Sequence, residues 1–533
     1  MFETELKFQV PAARWAALVK AVNTRTAVKL RLQALYLETP GHDLAAAGLA
    51  LRLRKEGRVW VQTLKGRGDG LMQRLEHEVR LPAQRGLPQV DAALHDGTPA
   101  GAMLRKVLAG AKDSELKVLY RTDIQRTTRR VRHGGAVVEL ALDQGALHAE
   151  GQAPLAVAEI EFELLNGPPE ALALLTARWA ARFDLWWDVR TKSERGFRLA
   201  LGLAQVPATC ARPPELPEPQ GDGLALAPFL AAMVGAALAH AMPNLAEIAG
   251  APVNQPPAPE HLHQLRVALR RLRTALSLFG DWASDPAAAT ALEARWRDVF
   301  TRLGAARDAD VLAATWLPRL QAAGAPPVDG AAAAADTDVG ATVRETSVTV
   351  LLMDTLAFSL GQAESAEIKE EEGVEEGVEE DREKKRTHEK AHGKPKAAKQ
   401  AHSTAARAVL RRAWRRAWAD ARQFESAPVV QQHRARKRLK RLRYALEFLA
   451  PLLPARPLRL WQRALKRAVT ALGEHNDLQT ARVHFAACTT QQPQAWFAVG
   501  WLAAQEAASR SQVQAALAVL KAGQPPWKKR LKG

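Results

Sequence analysis

Glu3, Glu5 and Lys7 occupy every second position of the stretch ETELK. In an extended chain alternate side chains share a face, so three charges of both signs project together, with Phe2, Thr4, Leu6 and Phe8 opposite. The spacing returns at Arg52 and Arg54, at Arg74, Glu76, Glu78 and Arg80, at Glu139 and Asp143, and at Glu159, Glu161 and Glu163. Taken singly, each run fits an antiparallel strand with an apolar side on a core and a charged side in water. Taken together, they also fit a sheet closed around a charged interior.

A second set follows helical spacing. His263, Arg266, Arg270 and Arg273 fall on one stripe with Arg271 at its edge. His433, Arg436, Lys440 and Arg443 repeat the stripe, flanked by Lys437 and Arg441. HQLRVALRRLRTALSLF (263–279) aligns without gaps with HRARKRLKRLRYALEFL (433–449). Each copy is followed by a second match, LGAARDADV from Leu303 and LGEHNDLQT from Leu472, so both pairs keep an offset of about 170 residues. That is an internal duplication. So many cations on one face repel one another unless an anion or acidic neighbours compensate. One such helix alone reads as a solvated basic face. Two in register, with histidine at the same place, point to a site for a phosphate chain, which guanidinium groups grip bidentately. Asp308, Asp310 and Asp477 are expected to hold the arginines rather than do chemistry.

The elements that must carry these residues change along the chain. Ala12–Val22 has helical spacing, and runs with strand character follow at 30–37, 49–55, 58–65, 73–81, 123–131, 136–142 and 156–164. A helix is expected over 169–183, and the segment DVRTKSERGFRLAL then brings Lys192 and Arg195 to the end of the first half. Residues 204–223 are rich in proline and read as a linker. From Leu224 onward helical patterns dominate. The expected fold is α+β and multidomain: a closed antiparallel barrel over 1–203, then an all-α duplicated bundle over 224–522. Within the bundle, the charged insertion 364–402 is expected to be disordered.

Composition narrows the chemistry. Over 533 residues the formal charge is +18, which implies an anionic partner. Cys210 and Cys488, the two cysteines, stand in no metal-ligand spacing, which fits a reducing compartment. The N-terminus lacks the features of a secretory signal, so a cytoplasmic location is expected. The apolar stretch Leu224–Met242 reads as a buried bundle helix rather than a membrane span. Neither a phosphate-binding GxxxxGK[ST] loop nor a nucleophile triad order is recognisable. The basic helices lack the aromatic interleaving of nucleic-acid binders.

The duplicated motif resembles the CHAD domain, a histidine-containing helical module associated with inorganic polyphosphate, over about 224–521. His263, Arg266, Arg270, Arg271, Arg273, His433, Arg436, Lys437, Lys440, Arg441 and Arg443 are the polyphosphate-binding candidates. The first half resembles the CYTH family, the triphosphate tunnel enzymes, through Glu3-x-Glu5-x-Lys7, Arg52-x-Arg54, Lys65, Arg74-x-Glu76-x-Glu78, Arg126, Asp143, Glu159-x-Glu161 and Lys192. The pairing of the two modules is similar to that of bacterial inorganic triphosphatases. The resemblance implies metal-dependent hydrolysis of inorganic triphosphate to diphosphate and phosphate. Arg52, Arg54, Lys65, Arg74, Arg126 and Lys192 would hold the substrate, and Glu3, Glu5, Asp143, Glu159 and Glu161 one or two Mg²⁺ or Mn²⁺ ions. Glu76 and Glu78 would position metal or water, and Lys7 is expected on phosphate rather than as a general base. Ile124 stands where the family often has a basic residue, so that cation is missing or comes from Arg121 or Arg129. Other readings are a non-catalytic polyphosphate scaffold, or an enzyme acting on thiamine triphosphate or ATP.

Overall fold

The computed structural model describes residues 2–68, 70–84, 86–217, 225–252, 257–304, 311–328, 338–371 and 395–528. They form two compact units. The first comprises Met1–Thr209, Leu238–His261 and Val343–Leu360, and the second comprises Cys210–Ala237, Leu262–Thr342 and Gly361–Gly533.

The first unit is built on nine strands: β1 (Phe2–Gln9), β2 (Val28–Glu38), β3 (Leu49–Glu56), β4 (Val59–Arg67), β5 (Gln73–Arg80), β6 (Lys117–His133), β7 (Ala136–Ala149), β8 (Leu155–Asn166) and β9 (Trp186–Trp187). Their order is β5-β4-β3-β2-β6-β7-β8-β1-β9, and β1 also pairs with β5. That pairing closes an antiparallel eight-stranded barrel, with β9 alongside β1. The β6–β7 hairpin turns on Gly134 and Gly135, both at positive φ (54° and 79°), as a tight two-residue turn requires.

The barrel is apolar outside and polar inside because helices cover its outer face. Leu51, Leu53 and Leu64 pack with Leu44 of α2 (Asp43–Ala46) and with Ala100 and Leu104 of α3 (Pro99–Gly110). Leu6, Phe8, Ile160 and Phe162 are buried on the outer side, where α1 (Ala12–Val22) and α4 (Pro169–Phe183) pack. The charged face is thereby turned inward. A last helix, α5 (Lys192–Ala200), packs on β6 and β7. It starts at a capping box in which the Thr191 hydroxyl accepts from the Glu194 amide and the Glu194 carboxylate accepts from the Thr191 amide.

Beyond the barrel the elements are helical: α6 (Ala227–Ala249), α7 (Pro259–Phe279), α8 (Pro286–Arg302), α9 (Leu317–Ala322), α10 (Val339–Arg344), α11 (Thr346–Glu371), α12 (Pro395–Ala421), α13 (Val429–Phe448), α14 (Ala455–Cys488) and α15 (Ala495–Ala522). Helix α6 is long and apolar enough to cross a membrane by length and composition, and 72% of its apolar window is buried within the protein. The expected insertion is entered by α11 from one side and α12 from the other, and residues 372–394 lie outside the described residues. In the duplicated helices the leucine stripe is the core. Leu265, Leu269, Leu272 and Leu276 of α7 and Leu439, Leu442 and Leu446 of α13 are buried, which leaves the arginine stripe on the flank.

Candidate functional site

Register brings the charged positions together inside the barrel. Arg126 lies opposite Asp143, Asp143 opposite Glu159, Glu161 opposite Lys7, and Lys65 opposite Glu76. The tunnel residues expected from sequence all lie in two facing networks.

In the first, Lys65 Nζ is 3.0 Å from Glu3 and 2.7 Å from Glu76, and Arg74 Nε is 2.9 Å from Glu5. Arg52 lies 3.6 Å from Glu76 and 3.5 Å from Glu78, and Arg54 reaches Glu78 at 3.0 Å and also pairs with Glu56. Glu3 and Glu76 hydrogen-bond to each other, which needs a shared proton. Burial and then the bond to Glu3 push Glu76 up to about 8. Burial works against ionising Glu3 as well, but Lys65 and the bond to Glu76 bring it down to about 2. Glu163 is raised to about 7 by burial, then by Glu3 and Glu139.

The second network surrounds a carboxylate cluster. One oxygen each from Asp143, Glu159 and Glu161 lie within 4.8 Å of one another. Lys192 Nζ sits among them at 2.6, 2.5 and 2.7 Å respectively. Arg126 forks onto both Asp143 oxygens at 2.7 Å and onto Glu161 at 2.5 Å, and Arg195 pairs with Glu159. Burial opposes ionisation of Glu161, yet Lys192 and Arg126 hold it well below the usual carboxylate range. Lys7 is buried, with its ammonium donating to the Arg190 carbonyl. Burial lowers its pKa, against the pull of Glu159.

Three carboxylates this close, Asp143 and Glu159 fully buried and Glu161 half-buried, repel strongly unless a cation lies among them. The donor set is oxygen only, which suits a hard divalent ion, and the Lys192 ammonium occupies the position such a charge would take. The residues therefore fit a metal. Glu3 and Glu5, also expected as ligands, belong instead to the Lys65 and Arg74 pairs of the facing network, although Glu3 lies close enough to Glu161 to feel its charge.

The sequence pattern brought Arg195 to the end of the first half without giving it a role, and it left out Gln9 and Asp188. Gln9 donates to Glu159 at 3.2 Å and to Asp188 at 3.0 Å, and Asp188 binds Arg190 through both carboxylate oxygens. Gln9 continues the alternation from Lys7, and Arg195 lies three residues after Lys192, so both were within reach of periodicity. Neither proposed substitute for Ile124 faces the interior. Arg129 donates to the Ala21 carbonyl, and Arg121 is exposed on the same outward set of β6 positions. Ile124 is itself buried with Leu32, Leu147 and Val157, and Leu199 of α5 packs on them. Hydrocarbon thus fills the interior where the family often places a cation.

In the second unit α7 and α13 bring their cations together. Lys440 lies within electrostatic reach of Arg270, Arg436 and Arg443, and Lys437 and Arg441 within that of Arg273. Burial, then these arginines, drops Lys440 to about 6. The Arg270 Nε is buried without a hydrogen-bond partner. Arg266, Arg270 and Arg273 all lie over the Phe300 ring, Arg266 closest at 4.3 Å. In both copies the arginine of the stripe lies beside the glycine of the second motif, Arg266 by Gly304 and Arg436 by Gly473. Asp477 pairs with Arg436 at 3.5 Å, the holding role expected of it. Asp308 and Asp310 lie outside the described residues. His433 bonds to Asn476 at 2.5 Å and is half-buried like His263. Arg271 does not join the basic face: only 1% exposed, it donates to the Arg212 carbonyl at 2.8 Å and lies over Phe448.

Known proteins align with the two parts separately. Residues 1–182 match the CYTH domain family and residues 232–486 the CHAD domain family. An inorganic triphosphatase of Haemophilus influenzae is 30% identical over 169 residues, 31% of this chain and 44% of that protein. The chain thus spans less than half the length of that curated relative. Among solved structures, the CHAD domain from the plant Ricinus communis is 28% identical, with a TM-score of 0.42 over 60% of this chain and 98% of that one. A candidate adenylyl cyclase from Hippeastrum with a dominant triphosphatase activity is 19% identical, with a TM-score of 0.27 over 37% of this chain and 95% of that one. By the two family matches, this chain joins a CYTH domain to a CHAD domain.

Proposed function

We propose that the tunnel hydrolyses inorganic triphosphate to diphosphate and phosphate with Mg²⁺ or Mn²⁺, and that the basic face of α7 and α13 holds polyphosphate. The observation that carries the first part is the enclosed array of Arg52, Arg54, Lys65, Arg74, Arg126 and Lys192 interleaved with carboxylates. A bare phosphate chain needs several cations, and acids among them are tolerable only with further positive charge present.

Asp143, Glu159 and Glu161 would hold the metal, which on binding neutralises phosphoryl oxygens and acidifies water. Arg52, Arg54 and Arg126 would grip phosphoryl oxygens through their planar forks, and Lys65 and Lys192 would add point charge. Glu76, whose proton is shared with Glu3, would stand beside the phosphate oxygens without adding a full negative charge, whereas Glu78 would orient water. For the helical face, the support is the crowding of cations around Lys440 in surroundings that burial has dried.

Release of phosphate from triphosphate, thiamine triphosphate, ATP and long-chain polyphosphate, each with Mg²⁺ and with Mn²⁺, tests the reading. Triphosphate is expected to be cleaved fastest, and failure to release phosphate from it with either metal removes the hydrolase. Long-chain binding that survives Glu161→Gln, with no turnover of any of these substrates by the wild type, would leave only the scaffold.

A further inference from the structure

The segment that delivers Lys192 and Arg195 is fastened on two sides. Towards the interior, Lys7 donates to the Arg190 carbonyl, Arg74 contacts the Val189 carbonyl at 3.5 Å, and the Asp188 amide donates to the Lys7 carbonyl at 3.0 Å. On the other side, the end of α6 lies against the same segment within the first unit. Glu247 takes a 2.7 Å bond from Arg198 of α5, with the two side chains only 11% and 20% exposed, and its charge also reaches Arg190. Gly250, just past α6, lies flat against the Arg190 guanidinium: a Cβ there would meet Nη2 at 1.8 Å. That guanidinium cannot simply swing away, because Asp188 holds it through two bonds of 2.9 Å. The α6 end is anchored in turn by Arg344, which donates to the Ala249 carbonyl at 2.8 Å and so places a cation at the negative end of the helix.

We propose that Glu247 and Gly250 are positioning residues for the tunnel: by fixing Arg198 and Arg190 on either side of Lys192 and Arg195, they set how far these two cations reach into the carboxylate cluster. The idea rests on the tunnel being the phosphate site. It adds that a helix outside the barrel adjusts the tunnel without touching substrate. Residues 190 to 198 span the capping box and two turns of α5, stiff enough to transmit a displacement at either end.

The test uses the full chain. Gly250→Ala pushes on Arg190, Glu247→Arg repels Arg198, and Glu247→Arg combined with Arg198→Glu restores the pair in reverse. Reductive methylation read by peptide mass spectrometry reports lysine protection. Lys192 is expected to become several-fold more reactive in the two single variants and to regain protection in the double variant. Lys65, held on β4 by Glu3 and Glu76, is expected to stay as in the wild type. Over the same variants kcat/KM for triphosphate should fall about 10- to 100-fold, the scale of a displacement near 1 Å, and recover in the double variant. The proposal is overturned if Lys192 stays protected in both single variants, or if Lys65 loosens equally, which would mean general destabilisation. A wild type that cannot cleave triphosphate removes the functional reading, while the methylation pattern still decides the positioning role. The milder Glu247→Gln gives the same reading should Glu247→Arg fold poorly.

Discussion

Replacing Lys192 by alanine tests whether the carboxylate cluster is a cation site. The ammonium lies 2.5 to 2.7 Å from three carboxylates, and its side chain is 12% exposed. Removing one partner of a buried ion pair typically costs about 3–5 kcal/mol, because the other charge is left uncompensated. Arg126 and Arg195 remain, which places the expected loss at the lower end, near ~3 kcal/mol. For a unit of this size that corresponds to roughly 6–12 °C in the unfolding midpoint. In the wild type a divalent ion must displace the lysine, so metal should raise the midpoint only slightly. In Lys192→Ala the cluster is open, and Mn²⁺ at about a hundred times its dissociation constant should restore about 2.7 kcal/mol. The assay is calorimetric unfolding of both proteins in EDTA and in Mn²⁺, following the transition of the barrel unit. A variant that unfolds at the wild-type temperature in EDTA, or that gains no more from Mn²⁺ than the wild type, refutes the reasoning.

Glu76 is a carboxyl raised to about 8 by burial and by its bond to Glu3, so its stabilising effect is complete below its ordinary range near 4.5 and is lost as pH rises through 8. Unfolding midpoints of the metal-free protein should therefore fall progressively from pH 5 to about 8 and level off above it, and Glu76→Gln should flatten that fall. Lys440, lowered to about 6 by burial and the surrounding arginines, is largely neutral at pH 7.5 and should take up a proton when a polyanion arrives. Titration calorimetry of long-chain polyphosphate in buffers of different ionisation enthalpy should show uptake that Lys440→Met abolishes. Arg270→Ala should weaken that binding about tenfold or more, in the range of charge-assisted hydrogen bonds. Arg271→Ala should leave binding unchanged and lower the unfolding midpoint, since its bonds go to Arg212 and Phe448.

The tunnel was legible because a strand has a single rule of facing. Once Glu5, Arg54, Glu76 and Glu161 are placed on strands, period two puts them on common faces. Only closure remained to choose between a wetted sheet and an enclosed one, and the β1–β5 pairing of Phe2 with Leu75 decides it. What could not be read were contacts fixed by distant parts of the chain. Arg271 follows Arg270 by about 100° around the helix, too little to tell an edge position from a buried one. The Arg212 carbonyl, 59 residues earlier, makes the difference. At Ile124 the sequence alone left two readings, a missing cation or one supplied by Arg121 or Arg129. Register instead turns Arg121 and Arg129 outward and seats Ile124 against Leu147 and Leu199.

The two sites solve the burial of charge in opposite ways, and the difference indicates what each can bind. In the tunnel nearly every cation already has an acid at ion-pair distance, as with Lys65 between Glu3 and Glu76. A polyanion entering alone would have to break those pairs and leave the acids facing phosphate. It can bind well only if a metal takes over the acids, so substrate and metal should bind cooperatively there. Around Lys440 the ratio is reversed: Arg270, Arg436 and Arg443 crowd it, and Asp477 is the one acid among the principal influences on its charge. An anion there relieves repulsion already present in the folded protein and needs no metal partner. EDTA should therefore abolish tight triphosphate binding in the tunnel while leaving polyphosphate binding by the helical face intact, and equal sensitivity of the two would contradict the assignment of acids to one site and bases to the other.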